Sequence, residues 1–152
     1  MLILGIDPGL SGAFAFLDDG KLTHVADLPT MGEGARRMLD SGALADALKP
    51  LTFDFAVIEQ VGAMPGQGVS SMFRFGHAVG QAVGVIHALG IPLKWASPGT
   101  WKRTMGLNSD KERARALAIE TFPSLRAQFA RKKDHGRAEA ALMALWGARA
   151  SA

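Results

Sequence analysis

LILGIDPGLSG, residues 2–12, is a short apolar run that ends in Asp7 and passes into a Pro-Gly turn. Residues 13–17 resume an apolar pattern typical of a strand. Asp-Asp-Gly at residues 18–20 then predicts a hairpin turn, because Asp-Gly readily adopts the positive backbone dihedral angles of a tight loop. With residues 21–28 as a third strand, the sequence predicts an opening unit of three antiparallel strands whose first strand ends in a carboxylate.

The rest of the chain alternates between strand-like and helical patterns. A fourth strand, residues 53–58 (FDFAVI), stops at Glu59, so a second carboxylate stands at a strand end. Residues 91–96 predict a fifth strand. Helical patterns cover residues 43–48, residues 70–89, a turn at residues 97–100, a segment from Ser109 to before Pro123, and residues 136–150. Residues 29–41 and 62–68 are predicted as loops, and the whole pattern predicts an α/β fold with a five-stranded mixed sheet flanked by helices.

Length and composition narrow the class of protein. With 152 residues, of which 48% are hydrophobic and 20% charged, the chain fits a single folded domain over residues 1–152. No apolar run approaches the roughly 20 residues that span a bilayer, and the amino terminus lacks the basic segment of a secretory signal. We therefore expect a cytoplasmic protein without a membrane segment.

Cysteine is absent and the formal net charge is +3. The lack of cysteine excludes disulfides, thiolate zinc sites and cysteine nucleophiles, so carboxylates and imidazoles are the candidate metal ligands. The basic residues concentrate in two groups, which we interpret as phosphate contacts, with a solvated surface as the alternative. The groups are Arg126, Arg131, Lys132 and Lys133, and Lys94, Lys102, Arg103 and Lys111.

A third acidic motif lies near the carboxyl terminus, in KKDHGRAEAALMALWG. Glu139 sits one turn into a helix whose other residues are mostly small or apolar. His135 precedes Glu139 by four residues and shares its helical face if the helix already includes His135. Each of these acidic or imidazole residues has an alternative to metal binding. Asp134 could cap the helix, His135 could lie at the surface, and Asp7 could be a purely structural turn residue.

Carboxylates at strand ends and at a helix start suit one chemistry in particular. Two Mg²⁺ ions about 4 Å apart, held by such groups, hydrolyse phosphodiesters by activating water and stabilising the leaving oxygen. The chain has neither the glycine-lysine pattern of a nucleotide-binding P-loop nor a serine in a nucleophile elbow. We therefore expect metal-dependent hydrolysis, with no covalent intermediate and no nucleotide cofactor.

Three motifs carry a resemblance to a known family. LGIDPGLSG and VIEQV are similar to the first two acidic motifs of the RuvC family, and KKDHGRAEAALMA is similar to the ending of its phage and plant-organelle branches. The resemblance implies an RNase H-like fold and a homodimer that cuts four-way (Holliday) DNA junctions by paired symmetric nicks, using Mg²⁺ or Mn²⁺. It also implies that Asp7, Glu59 and Glu139 are metal ligands.

SPGTWKRTMGLNSDK, residues 97–111, resembles the family segment whose basic residues approach the scissile phosphate. The resemblance thus implicates Lys102 and Lys111 in stabilising developing negative charge. One departure concerns the fourth ligand: bacterial members place it three residues before the last one, where this chain has Gly136. Either Asp134 or His135 must replace it, and both alternatives stay open.

A second departure is the loop after Glu59, which has Gly62, Ala63 and Met64 where some relatives carry an aromatic wedge. Phe73 and Phe75 follow at helical spacing, which favours core packing over base stacking.

Gly76, Gly80 and Gly84 form a smooth stripe on the same predicted helix. We expect it to pack on the protein's own sheet, with a dimer seam as the alternative.

Two other functions remain possible from the residues alone. The first is a nuclease of the same fold that acts on other branched DNA or on RNA–DNA hybrids, because an acidic site does not specify the nucleic acid. The second is a module that binds branched DNA without cutting it, if the altered fourth ligand abolishes metal binding.

Overall fold

Seven strands are present in the computed structural model, which describes residues 1–152. In chain order they are β1 (Leu2–Asp7), β2 (Ala13–Asp18), β3 (Lys21–Asp27), β4 (Thr30–Met31), β5 (Met38–Leu39), β6 (Phe55–Glu59) and β7 (Leu93–Ala96). Five of them form one sheet in the order β3-β2-β1-β6-β7. The first three strands are antiparallel to one another, whereas β6 is parallel to both β1 and β7. The predicted five-stranded mixed sheet with three antiparallel amino-terminal strands is confirmed.

Five α-helices connect and cover the sheet. They are α1 (Ser41–Leu48), α2 (Val69–Ala88), α3 (Pro98–Thr104), α4 (Lys111–Thr121) and α5 (His135–Ala150). The expectation that Ser109 begins the fourth helix is wrong by two residues, because Asp110 is the N-cap and accepts a hydrogen bond from the backbone of Glu112. Residues 29–41 are not all loop either, since β4 and β5 pair there as a small separate hairpin.

The alternating side chains of β1 and β6 divide the core into two layers. Leu4 and Ile6 pack with α1 and α2 on one face, whereas Ile3 and Val57 pack with α5 on the other. α4 packs against α5 from outside. Because Asp7 continues the face of Ile3, and Glu59 continues the face of Val57, both terminal carboxylates point to the α5 side of the sheet.

α5 lies unusually close to the sheet because small residues line the contact. A Cβ atom on Gly5 of β1 would lie 2.1 Å from the carbonyl oxygen of Ala140, and one on Gly147 would lie 2.6 Å from Cγ2 of Val57. Only glycine allows this approach of the two backbones. The same approach brings Glu139, which follows Ala138 in α5, over the ends of β1 and β6.

The glycine stripe of α2 faces away from the protein. Nothing lies within 4 Å of an ideal Cβ on Gly76, Gly80 or Gly84, and all three residues are exposed. The expectation that they pack on the sheet is therefore wrong, because the buried face of α2 is formed by Ala78, Ala82 and its neighbours at helical spacing.

The two phenylalanines of α2 are also outside the core. Phe73 is 74% exposed, and Phe75 is partly buried beside the Asp7 turn. Core packing was the wrong expectation for both, because helical spacing alone does not tell which face of α2 meets the sheet. None of the five helices is both long enough and apolar enough to cross a membrane.

Candidate metal centre

Three carboxylates converge where the parallel strands end. Ile6 pairs with Ile58, so the next residues along β1 and β6, Asp7 and Glu59, are neighbours at the same edge of the sheet. Glu139 reaches them from the first turns of α5. Ligand atoms of all three side chains lie within 4.8 Å of one another, which is close enough to share a metal ion.

Negative charge in this cluster is poorly compensated around Asp7. Burial, followed by the charges of Glu139 and Glu59, raises the pKa of Asp7 well above its usual range. A bound cation would reverse this effect by favouring the ionised form. The donor set also fits, because clustered carboxylate oxygens are the ligands that Mg²⁺ and Mn²⁺ prefer.

Lys102 supplies positive charge to two of the three carboxylates. Its Nζ atom lies 3.2 Å from Oε1 of Glu139 and 3.7 Å from Oε1 of Glu59. Burial opposes the charged form of Lys102, but the two glutamates outweigh it and raise the pKa of the lysine, so its side chain stays protonated. The structure therefore places Lys102 inside the acidic cluster.

Trp101 holds Glu59 in place, a contact that the sequence analysis missed. Its indole Nε1 donates a 3.0 Å hydrogen bond to Oε1 of Glu59, and its ring is fully buried. A buried Trp requires a partner for its N–H, and a buried carboxylate requires a donor. The only sequence signal was the position of Trp101 directly before Lys102.

Asp134 lies outside the cluster and is engaged by Arg131. Its Oδ2 accepts a 2.8 Å hydrogen bond from the backbone N–H of Arg131, and its Oδ1 lies 2.8 Å from the Arg131 guanidinium. Burial opposes ionisation, but the hydrogen bonds and charge of Arg131 prevail and lower the pKa of Asp134. The structure therefore gives Asp134 a local role in the 3₁₀ turn Lys132–Asp134 that precedes α5.

His135 is the first residue of α5, so it lies on the helical face of Glu139. It lines the cleft beside Asp7, although it is not among the three clustered ligands. Burial and the charge of Lys111 lower the pKa of His135, which keeps the imidazole neutral near neutral pH. A neutral imidazole is the form that binds metals.

Gly136 packs directly against Asp7. An ideal Cβ on this residue would lie 3.0 Å from Oδ2 of Asp7 and 3.1 Å from the carbonyl oxygen of Ser11. A longer side chain would displace the Asp7 carboxylate. Gly136 therefore contributes close packing at the position where bacterial relatives are expected to carry a ligand.

The basic groups predicted to contact phosphate divide into two sets. Lys111, Lys132 and Lys133 line a second cleft together with His135, next to the candidate metal centre. Lys94 instead lies 3.7 Å above the ring of Phe55 and donates to Ser151. Lys94 and Arg131 thus each have a contact within the protein while staying exposed, and their phosphate contacts stay predictions.

Solved structures share this arrangement of elements. RuvC of Thermus thermophilus, in complex with Holliday junction substrate, matches with a TM-score of 0.72 over 99% of this chain and 95% of that chain, at 16% sequence identity. A second Thermus thermophilus RuvC structure matches with a TM-score of 0.71 at 19% identity, covering 99% of this chain and 97% of that chain. This chain has the RuvC fold. The RNase H-like architecture expected from the acidic motifs is thereby confirmed.

Other comparisons extend the resemblance to RuvC. The fowlpox virus Holliday junction resolvase matches with a TM-score of 0.60 at 16% identity, over 99% of both chains. In sequence, the chain is 31% identical over 134 residues, or 83% of its length, to the chloroplastic Holliday junction resolvase MOC1 of Chlamydomonas reinhardtii, and it spans 14% of that protein. No family model matches the chain. The resemblance to RuvC-type resolvases predicted from the sequence is confirmed.

Proposed function

We propose that this chain is a metal-dependent endonuclease that resolves four-way DNA junctions by paired symmetric nicks. The observation that carries the proposal is the convergence of Asp7, Glu59 and Glu139 at one edge of a sheet with the RuvC fold. The 31% identity to a chloroplastic resolvase supports the same substrate.

In this proposal Asp7, Glu59 and Glu139 would hold two Mg²⁺ or Mn²⁺ ions. The chemistry that the ions supply is Lewis-acid catalysis, which activates water and stabilises charge on the leaving oxygen. Trp101 keeps the Glu59 carboxylate oriented. Lys102 neutralises Glu59 and Glu139, and its positive charge would stabilise negative charge on a phosphate bound at this site.

His135 is the better supported fourth ligand. It lies on the same face of α5 as Glu139, it lines the Asp7 cleft, and its lowered pKa favours the neutral imidazole. Asp134 is occupied by Arg131 and would have to give up those hydrogen bonds to reach a metal. Lys111 lines the second cleft with Lys132, Lys133 and His135, and we assign the three lysines to phosphate binding.

The paired nicks require two active sites, and we propose a homodimer that uses the exposed face of α2. That face presents Gly80 and Gly84 to solvent, with Val69 and Phe73 88% and 74% exposed near its amino-terminal end. Small residues allow a second helix to approach closely, and exposed apolar side chains gain from burial.

Two further expectations stay predictions. One is a single domain over residues 1–152, without a nucleotide cofactor. The other is a cytoplasmic location, whereas the relative from Chlamydomonas reinhardtii is chloroplastic.

The test is a cleavage assay on three matched substrates: a synthetic four-way junction, a linear DNA duplex of one arm's sequence, and the corresponding RNA–DNA hybrid. We expect Mg²⁺-dependent nicking of the junction at symmetric positions on two strands. Asp7→Asn and Glu139→Gln should each abolish nicking. The matched control is Asp46→Asn, which removes an exposed carboxylate on α1.

Each alternative gives a different result in this assay. Preferential cutting of the hybrid would replace junction resolution by another nuclease activity. Tight junction binding without cutting, and without Mn²⁺ uptake in calorimetry, would instead identify a binding module. Cleavage that survives both active-site substitutions would contradict the proposed metal centre.

A further inference from the structure

A cleft of about 440 Å³ opens beside Asp7. Of the three clustered carboxylates, only Asp7 lines it. The cleft is also lined by the turn at residues 8–12 and by side chains that include Arg37, Arg74 and His135. Its volume lies within the range of about 300 to 1,000 Å³ that is typical of ligand sites. Because Asp7 and His135 also line this cleft, any ligand in it adjoins the candidate metal centre.

Two arginines give this cleft positive charge that the protein does not neutralise. Arg37 donates only to Oγ1 of Thr30 and to the carbonyl oxygen of Leu10, at 3.3 and 3.1 Å. Arg74 donates to the carbonyl oxygen of Gly34 at 3.2 Å. Neither guanidinium forms one of the protein's ion pairs.

Arg74 also carries an unused donor. Its Nε atom is buried and has no hydrogen-bond partner. A buried donor without a partner costs free energy, which an incoming acceptor would recover. Arginine is suited to such an acceptor because its planar fork matches the oxygens of a phosphate.

Two glycines of the turn that lines the cleft are closely packed. Gly9 has a φ of +115°, and a Cβ there would lie 3.2 Å from the ring of Phe75. A Cβ on Gly12 would lie 2.0 Å from the carbonyl oxygen of Asp7. A side chain at either glycine would displace these neighbours, so Gly9 and Gly12 preserve the shape of the turn beside the two arginines.

We propose that Arg37 and Arg74 bind the backbone phosphate next to the scissile one, on the strand that is cut. The inference rests on the proposed nuclease function, which brings a phosphodiester chain to Asp7. Lys102 faces the carboxylates and does not line this cleft, so the two arginines form a separate phosphate contact. They hold the strand in register and take no part in bond breaking.

The test measures binding to the four-way junction in EDTA over a series of NaCl concentrations. We expect weaker binding for Arg37→Gln and Arg74→Gln, and a fall in the slope of log K against log salt of about 0.7 to 0.9 per lost contact. Arg37→Lys and Arg74→Lys should retain most of the slope, because the charge is kept. Arg36→Gln is the matched control, since Arg36 is exposed and does not line the cleft.

A second measurement uses the unaltered protein, since Arg37 and Arg74 also tie residues 30–39 to the rest of the fold. Junctions with a neutral methylphosphonate at the phosphate next to the cleavage position should bind the wild-type protein more weakly than junctions with the same change on one of the two strands that are not cut. Equal binding of these two junctions would overturn the proposal, as would glutamine variants that melt like the wild type and keep its salt slope.

The two proposals fail separately. If the wild-type protein does not cut the junction in Mg²⁺, junction resolution is wrong, whatever the arginine variants do. If it cuts the junction but neither the arginines nor the methylphosphonate affects binding, only the phosphate contact is wrong.

Discussion

Asp7 is held in the folded protein with its pKa raised by burial, Glu139 and Glu59. A raised carboxyl pKa means that the folded state binds this proton more tightly than the unfolded state does. The stability gained from this tighter proton binding is fully present below the ordinary pKa of 3.8. It is lost as pH rises through the raised pKa of Asp7 in the folded protein. At neutral pH the metal-free protein therefore carries an electrostatic cost at Asp7.

Asp7→Asn should remove this cost. We expect the variant to melt at a higher temperature than the wild type in EDTA at pH 7, with the difference shrinking toward pH 4. With Mg²⁺ present the wild type should regain stability and the variant should not, because the ligand is gone. Thermal unfolding over a pH series checks this, and an equal pH dependence of the two proteins would contradict it.

Trp101→Phe tests the orientation of Glu59. The substitution keeps an aromatic ring in the core but removes the N–H that binds Oε1 of Glu59. Loss of such an outer contact costs about 10- to 100-fold in metal affinity or activity. Calorimetric titration with Mn²⁺ measures the loss. Trp95→Phe, at a residue that is 48% exposed, should bind Mn²⁺ normally.

Substitution of Asp134 should lower the stability of the fold, whereas substitution of His135 should weaken metal binding. We expect Asp134→Asn to destabilise the fold by about 1–3 kcal/mol at pH 7, because it disrupts charged hydrogen bonds to Arg131. Because the pKa of Asp134 is lowered, this stability is present above pH 3.8 and disappears as pH falls through the folded value.

His135→Ala should leave stability nearly unchanged and weaken Mn²⁺ binding. Urea unfolding at pH 7 and pH 3, together with calorimetry, separates the two effects. Lost Mn²⁺ binding in Asp134→Asn, with normal binding in His135→Ala, would make Asp134 the fourth ligand.

At the scale of elements, the close packing of α5 on β1 positions Glu139. Gly5→Ala would place its Cβ 2.1 Å from the Ala140 carbonyl oxygen, so the helix backbone must move. We expect a loss of about 1–3 kcal/mol or more in the free energy of unfolding, and weaker metal binding because Glu139 moves with the helix. Unfolding in urea measures the first effect, and Mn²⁺ titration measures the second.

Gly99→Ala is the matched control for Gly5→Ala. Gly99 is exposed in α3 and a Cβ there meets nothing within 4 Å, so the variant should be as stable as the wild type or up to about 1 kcal/mol more stable, from the better helix propensity of alanine. Similar destabilisation in both variants would show that the tight contact between α5 and β1 is unimportant.

At the scale of the whole molecule, the exposed face of α2 is where we propose that two copies meet. Gly80→Arg places a large charged side chain in the middle of that face without touching the protein's own core. We expect sedimentation equilibrium to give a dimer for the wild type and a monomer for the variant, with similar melting of the isolated fold. Paired nicking should become single nicking. A variant that stays dimeric would move the interface elsewhere.

Much of the architecture was predictable because it depends on local patterns. Alternating apolar residues, the Asp-Gly turn and carboxylates at the ends of apolar runs were enough to predict the mixed sheet and to select Asp7 and Glu59. Glu139 could be selected as a candidate ligand in the same way, because it is an acidic residue on an otherwise small and apolar helix. These features are properties of neighbouring residues, which fold into the same element and face the same way.

Only the tertiary structure decided which partners those residues meet. The sequence by itself determined that α2 is a helix and that Asp134 and His135 flank the start of α5. It did not determine that Phe73 and the glycines face outward, that Arg131 occupies Asp134, or that Trp101 reaches Glu59. Those contacts depend on how each helix is rotated about its axis and how closely it packs, which is set by the sum of many distant contacts across the core.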